Sequence, residues 1–349
     1  MRLSLAAVAT AGAAAAVAAY RRRRPSDDLA GEVALVTGAS RGLGLLIATE
    51  LARRGCRLLL CARDGAELKR AADRLRSTGA QVATVACDVT REESAGQLVE
   101  AAREHCGRLD ILVSNAGIIR VGPVQSTTPA DYEAALATMT MAPVRLALAA
   151  LPVMRAQGHG RIVTITSIGG KLSVPHLLPY STAKFAAVGF SQGLRAELGR
   201  GPVTVTTVVP GLMRTGSHLQ ARFTGQADQE FTWFALGASL PLVSMDAERA
   251  ARQIVAAVRQ RRAEIILTPA GQLVSRLAGI APGLTSGALN LTQRLLLPAP
   301  ASAGGPAGVP GHELTPAPGT KAFSRLATLG RAAASRFNER PRPASQRGS

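Results

Sequence analysis

Aromatic residues are scarce in this 349-residue chain: one Trp, three Tyr and seven Phe, 3% of the whole. A core of ordinary apolar content must then be built from Ala, Val, Leu and Ile. The same scarcity argues against a basic groove that stacks nucleic-acid bases on aromatic faces. Cysteine is rare too. Cys56, Cys61, Cys87 and Cys106 show no C-x-x-C spacing, and a reducing compartment is the simpler reading. The five histidines, His105, His159, His176, His218 and His312, form no ligand-like cluster, so no metal site is expected. Acidic residues are outnumbered, 23 against 41 Lys and Arg, a formal charge of +18. That excess is not a patch on the middle of the chain. Residues 1–28 carry a net +3 and residues 270–349 a net +7, so ten of the eighteen charges sit in terminal segments. This distribution speaks against nucleic acid and leaves a membrane surface as the anionic partner to consider.

The N-terminus supports that partner. Leu3 to Tyr20 carries no charge, and Arg21, Arg22, Arg23 and Arg24 follow. A helix of that length spans roughly 27 Å, close to the hydrocarbon thickness of about 30 Å. The run is mostly alanine, so its hydrophobicity is marginal. Arginines after the run, not before it, fit a membrane anchor better than a cleaved signal peptide. They would hold the following domain on the cytoplasmic side. A loosely attached leader is the bland alternative.

From Val33 onward, short apolar runs alternate with helical patterns. Strands are expected at Val33–Val36, Arg57–Cys61, Gln81–Ala86, Leu109–Val113, Arg161–Thr166, Val203–Val209 and Glu264–Leu267. Helices fall between them, including a long one over about 129–157 and another over about 179–198. Continuous apolar strands alternating with helices imply an α/β fold, a doubly wound parallel sheet covered on both faces, with ligands at the strands' carboxyl ends. One such domain is expected over residues 29–269, after the leader at 1–28. An apolar extension, a lid or a membrane-facing helix pair, occupies 270–297. Residues 298–349 are rich in Pro, Ala and Arg and read as a disordered basic tail.

Two stretches carry chemistry. Thr37-Gly38-Ala39-Ser40-Arg41-Gly42-Leu43-Gly44 joins the first strand to the first helix. Its glycines let the backbone turn sharply and approach a pyrophosphate, which a helix N-terminus attracts. Tyr180 and Lys184 are four residues apart, on one helical face. The ammonium beside the phenol is expected to lower the phenol's pKa, which tunes it for proton transfer near neutral pH.

Together with Asn115-Ala116-Gly117, and Ser167 thirteen residues before Tyr180, these motifs resemble the short-chain dehydrogenase/reductase family, with its Rossmann fold. The resemblance covers roughly residues 31–269. It implies that Gly38, Gly42 and Gly44 wrap the cofactor's phosphates, with Ser40 and Arg41 of the same loop also binding cofactor, and that Asp88 binds the adenine. It also implies that Asn115 supports the sheet beside the cofactor, and that Pro210, Gly211 and Thr215 pack near the nicotinamide. Ser167, Tyr180 and Lys184 are the implied catalytic residues. Ser167 holds the substrate oxygen, Tyr180 exchanges the proton, and Lys184 holds the ribose.

The second strand ends Cys61-Ala62-Arg63, with no acid at Ala62 to bind a ribose 2′-hydroxyl. Arg63 and Arg41 instead suit a 2′-phosphate. The expected cofactor is thus NADP(H). One position departs from the family: Met139 stands where an asparagine usually holds a proton-relay water, and a thioether is only a weak acceptor. The reading is an NADP(H)-dependent oxidoreductase interconverting a carbonyl and a secondary alcohol. An apolar rim of Leu172, Val174, Leu177, Leu178 and the aromatics of Leu212–Leu242 suggests a lipophilic small-molecule substrate. Membrane lipid is an expected partner, nucleic acid is not, and a homo-oligomer is left open. The alternative is a membrane-tethered NADP(H)-binding protein with weak or no turnover.

Overall fold

Seven apolar runs become seven parallel strands. In chain order they are β1 (Val33–Thr37), β2 (Arg57–Ala62), β3 (Val82–Ala86), β4 (Ile111–Ser114), β5 (Gly160–Ile165), β6 (Val203–Val209) and β7 (Glu264–Ile266). Their order across the sheet is β7-β6-β5-β4-β1-β2-β3, and each neighbouring pair is parallel. The order reverses between β1 and β4, which opens a crevice at their carboxyl ends. The computed structural model describes residues 29–239, 244–299, 308–314 and 336–339.

Helices α1 (Gly42–Arg53), α2 (Gly65–Arg76), α3 (Ser94–Cys106), α4 (Pro129–Ala156), α5 (Leu178–Leu198), α6 (Ala227–Ser239) and α7 (Ala247–Arg259) connect the strands. Because strand side chains alternate in direction, each strand feeds two cores. In β2, Leu58, Leu60 and Ala62 join the core beneath α1, α2 and α7. Leu59 and Cys61 join the other core, beneath α3, α4 and α5. Truncating a fully buried residue such as Leu59 to alanine costs about 2–5 kcal/mol.

Three of these helices start on a side-chain cap. Asp64 accepts from the Glu67 N–H (2.8 Å) at α2, and Asp246 from the Arg249 N–H (2.8 Å) at α7. A capping box of Thr128 and Asp131 opens α4. Helix α1 has none: Arg41 precedes it in extended backbone and its side chain gives no cap. The first N–H groups of α1 therefore face the crevice without a side-chain acceptor.

Helix α4 is 28 residues long with a mean hydropathy of 1.6, enough to cross a membrane by length and composition. Its apolar face instead packs in the second core, through Ala142, Leu146, Ala147, Ala150, Leu151 and Met154. A π turn interrupts it at Ala137–Met141.

The apolar extension is a helix pair, α8 (Pro269–Ile280) and α9 (Pro282–Leu296). Gly271 is the one buried residue the two helices hold. The expected leader at 1–28 lies outside the described residues, as do 300–307, 315–335 and 340–349 of the tail. In two places the expectation of a disordered tail is corrected. Val309–Pro310 pairs antiparallel with Arg222–Phe223, and residues 336–339 pack against the start of α1. Composition shows that such a tail cannot build its own core. It does not show that the domain offers an open strand edge and a cleft that supply one.

Candidate active site

The crevice is a cavity of about 1260 Å³ that runs from the β1–α1 loop, across the sheet's carboxyl edge, to α6. All of the catalytic and cofactor-binding residues singled out in the sequence line it: Gly38, Ser40, Arg41, Gly42, Gly44, Arg63, Asp88, Asn115, Ser167, Tyr180, Lys184, Pro210, Gly211 and Thr215.

At one end, Asn115 fixes the glycine loop to the sheet. Its Nδ2 donates to the carbonyls of Thr37 and Gly38, each 3.1 Å away. Thr37 Oγ1 in turn accepts from the N–H groups of Asn115 (3.0 Å) and Ala116 (3.2 Å). This closeness is why glycines are required. Gly38 has a φ of +62°, and a Cβ on Gly44 would lie 2.1 Å from the Gly38 carbonyl oxygen. The loop thus presents backbone N–H groups at the positive end of α1, with no side chain of its own at Gly38, Gly42 or Gly44 to cover them. A diphosphate fits such a cradle.

The two arginines fare differently. Arg41 Nη1 donates to both Glu67 carboxylate oxygens, at 3.0 and 3.2 Å, and the Ser40 hydroxyl donates to the same carboxylate at 3.2 Å. Ser40 therefore lines the loop with its side chain turned to α2. Glu67 was not visible in the sequence as part of the site, since nothing in its spacing ties it to Arg41. Arg63 stands at the rim, where its charge acts on Asp88. Burial raises the Asp88 carboxyl, but hydrogen bonds from Thr90 and the nearby Arg63 and Arg91 outweigh it and hold the group below the usual range.

Beyond the end of β5, Ser167, Tyr180 and Lys184 come together. Ser167 Oγ accepts from the Gly169 N–H (3.0 Å) and hydrogen-bonds the Tyr180 phenol. Gly169 and Gly170 let the loop approach α5. A Cβ on Gly170 would lie 2.5 Å from the Lys184 carbonyl oxygen, and one on Gly169 3.2 Å from the Tyr180 ring. The Gly-Gly pair after Ser167 was the signal for this role, and its meaning emerges only with α5 in place. Lys184 Nζ donates to the Ile165 carbonyl (2.8 Å) and lies 5.7 Å from the centre of the Tyr180 ring.

The expected lowering of the phenol's pKa is not what these contacts produce. Burial raises Tyr180 above its ordinary value, and the Ser167 hydrogen bond offsets only part. The same burial pulls Lys184 down to about 8. Met139 is buried against Tyr180, with its sulfur 3.5 Å from where a Gly117 Cβ would stand. Thr140, in the same π turn, donates to the Ala183 carbonyl (2.9 Å), while Thr138 faces the cavity.

The far end is apolar. Val174, Leu177, Leu212, Trp233 and Phe234 line it as expected. Phe223 and Phe231 do not: they lie in the core beneath, with their rings edge to face. Leu172 and Leu178 are outside the lining, and residues 240–242 are outside the described residues. His176 is buried away from the cavity. Its Nδ1 meets Glu230 Oε1 at 2.7 Å, and Trp233 Nε1 donates to the other oxygen at 2.6 Å. This joins α6 to the segment that leads into α5. Among the described residues no group of three or more His, Cys, Asp or Glu side chains is placed to hold a metal.

A family model described as short chain dehydrogenase matches residues 32–224, more than half of the chain. The chain belongs to the short-chain dehydrogenase family. Estradiol 17-beta-dehydrogenase 11 of Mus musculus is 35% identical over 191 residues, 54% of this chain and 64% of that protein. A short-chain dehydrogenase/reductase from Burkholderia phymatum, solved with NAD, is similar with a TM-score of 0.66 and 26% identity, covering 74% of this chain and 96% of that one. L-Sorbose reductase from Gluconobacter frateurii, complexed with NADPH and L-sorbose, gives 0.61 and 28%, covering 68% and 95%. The short-chain dehydrogenase described here is accordingly an oxidoreductase of carbonyl and alcohol groups on small molecules. It uses a nicotinamide cofactor.

Proposed function

We propose that this dehydrogenase is an NADP(H)-dependent reductase of lipophilic carbonyl compounds that works at a membrane surface. The observation that carries the reading is the Tyr180 phenol, hydrogen-bonded to Ser167 and one helical turn from Lys184, between a glycine cradle and an apolar chamber. When bound, the nicotinamide supplies the hydride. The chain's own residues do the rest. The glycine loop and the N-terminus of α1 hold the diphosphate. Asp88 takes the adenine, Asn115 steadies the loop, and Pro210, Gly211 and Thr215 border the nicotinamide. Ser167 and Tyr180 donate hydrogen bonds to the substrate oxygen as it gains charge, and Tyr180 passes it the proton. A phenol held above its ordinary pKa is protonated at neutral pH, which suits an acid and therefore the direction of reduction. Lys184 Nζ holds the ribose and replaces the proton.

The preference for NADP(H) rests on Arg63. Its strand end carries no acid at Ala62, and Asp64 is occupied with the cap of α2. Arg41 contributes less than its sequence position suggests, because Glu67 already engages it. The lipophilic substrate is supported by Val174, Leu177, Leu212, Trp233 and Phe234. Membrane association is supported by α8 and α9. They expose Leu273, Leu277, Ile280, Leu284, Leu291, Leu295 and Leu296, and no acidic residue occurs between Glu264 and Glu313. The exposed face supports contact with a bilayer, and Arg21–Arg24 after the uncharged run support a domain held on its cytoplasmic side.

One observation favours a second reading, a cofactor-binding protein with little turnover: the buried Met139 thioether, beside Tyr180, where a water-holding amide is usual. Both are tested by mixing purified full-length protein with NADPH or NADH and a panel of ketones and aldehydes graded in hydrophobicity. Steady oxidation of NADPH, faster with apolar ketones than with sugars, is expected. Tight NADPH binding with no oxidation across the panel would establish the second reading in its place.

A further inference from the structure

The described part of the tail, Arg336-Phe337-Asn338-Glu339, sits on the element that the cofactor reading assigns to the diphosphate. The Gly42 N–H, first of the uncapped donors of α1, donates to the Phe337 carbonyl at 3.0 Å. Asn338 Nδ2 donates to the carbonyls of Ser40 (2.8 Å) and Glu67 (3.3 Å). Its backbone has a φ of +60°, a left-handed turn that asparagine tolerates. That turn drives Glu339 into the cavity. One of its oxygens accepts from the Gly216 N–H, and the other lies 2.6 Å from where a Gly42 Cβ would stand. Gln220 Nε2 holds the Glu339 carbonyl at 2.9 Å.

The neighbouring residues make this a seated segment. The Phe337 ring is buried against Leu46 and Ala247. The Arg336 guanidinium lies 5.5 Å from that ring and pairs with Glu248 at 2.6 Å. Arg74 Nη1 donates to the Arg336 carbonyl at 2.6 Å. After Glu264 the chain has just two acidic residues, Glu313 and Glu339. One of them stands at the anion position of a dinucleotide cradle.

We propose that residues 336–339 are an intramolecular ligand of the cofactor cradle, in which the Glu339 carboxylate takes the diphosphate's place, so that cofactor binds only when the tail lifts. The proposal rests on the cofactor reading above. The carboxylate fills the space over Gly42 that a phosphate needs, and two anions at one helix N-terminus repel. An occupied fraction of such a site lowers apparent affinity in proportion. A tail docked nine-tenths of the time weakens binding about tenfold. The tail would thus gate the enzyme, and whatever draws the basic segment away, an anionic lipid surface for example, would open it.

Three forms of the full-length protein test this: wild type, a chain ending at residue 335, and Phe337→Ala, which removes the anchor but keeps Glu339. Hydrogen exchange of the 40–46 amides without ligand reports docking independently of any cofactor. NADPH affinity, by titration of reduced-nicotinamide fluorescence, reports competition. Exchange should be slow in wild type and faster in both variants, and NADPH should bind the variants several-fold to about tenfold more tightly. Equal affinity in all three forms, or weaker binding after truncation, overturns the proposal while leaving the cofactor reading intact. Binding to none of the forms sinks the cofactor reading, and the proposal with it. Unchanged exchange shows that the tail does not dock, and also overturns the proposal.

Discussion

The two ends of the cavity are built in different ways. The nucleotide end consists of backbone: the glycine loop, the uncapped start of α1 and an asparagine just past β4 that holds the end of β1 and the loop. The substrate end consists of side chains on elements far apart in sequence, with α6 joined through Glu230 to His176 and Trp233. A backbone site admits few residues, so its requirements show in the sequence. A side-chain chamber needs apolar volume, which many sequences supply. The first end should therefore fail sharply when altered and the second should change its preferences gradually.

Gly44→Ala is the sharpest way to break the nucleotide end. Its Cβ would meet the Gly38 carbonyl oxygen at 2.1 Å and Asn115 Nδ2 at 2.5 Å. NADPH binding should fall below detection in a fluorescence titration, with a lower melting temperature. Next, Arg63→Glu should reverse the cofactor preference. A carboxylate at the strand end repels a 2′-phosphate and accepts from a 2′-hydroxyl, so kcat/KM for NADPH relative to NADH should drop by about 10²-fold or more. Trp233→Ala at the substrate end should be milder. Loss of the ring and of its bond to Glu230 should raise KM for bulky ketones by roughly tenfold, a pocket effect of 1–3 kcal/mol, and leave NADPH affinity unchanged.

The smallest expected effect concerns pH. Burial raises Glu339 to about 7, against the lowering influence of the Gly216 N–H and Arg41, while Glu67 raises it further. The docked tail then binds more protons than the free tail between its ordinary carboxyl pKa and about 7. Docking must weaken as pH rises through that window. The difference in NADPH affinity between the full chain and the one ending at 335 should shrink from about pH 5 to about pH 7 and level off above that. A constant or growing difference would contradict this assignment.

The same contrast explains what the sequence made legible. Strand and helix order followed from apolar runs and their spacing, and the seven strands fall within a residue or two of their expected bounds. Gly38, Gly44 and the Tyr180–Lys184 pair were legible because each constraint is local, a turn or one helical face. Glu67 against Arg41, and Glu339 over Gly42, were not, because no local pattern joins residues 26 or nearly 300 positions apart. The direction of the Tyr180 pKa shift was missed for a related reason. Spacing places an ammonium one turn away, but the degree of burial is a property of the assembled core. Phe223 and Phe231 were expected at the rim on composition alone; Phe223 points inward from the small sheet of Arg222–Phe223 with Val309–Pro310, and Phe231 packs on it from α6.

The central claim is that Tyr180 delivers the proton. It is tested most directly by single-turnover oxidation of bound NADPH with an apolar ketone, comparing wild type with Tyr180→Phe. The ring stays, so packing against Met139 and Ala183 is kept, and NADPH affinity should be unchanged. The rate should fall by about 10²–10⁴-fold. A Tyr180→Phe protein that oxidises NADPH as fast as wild type would contradict the account.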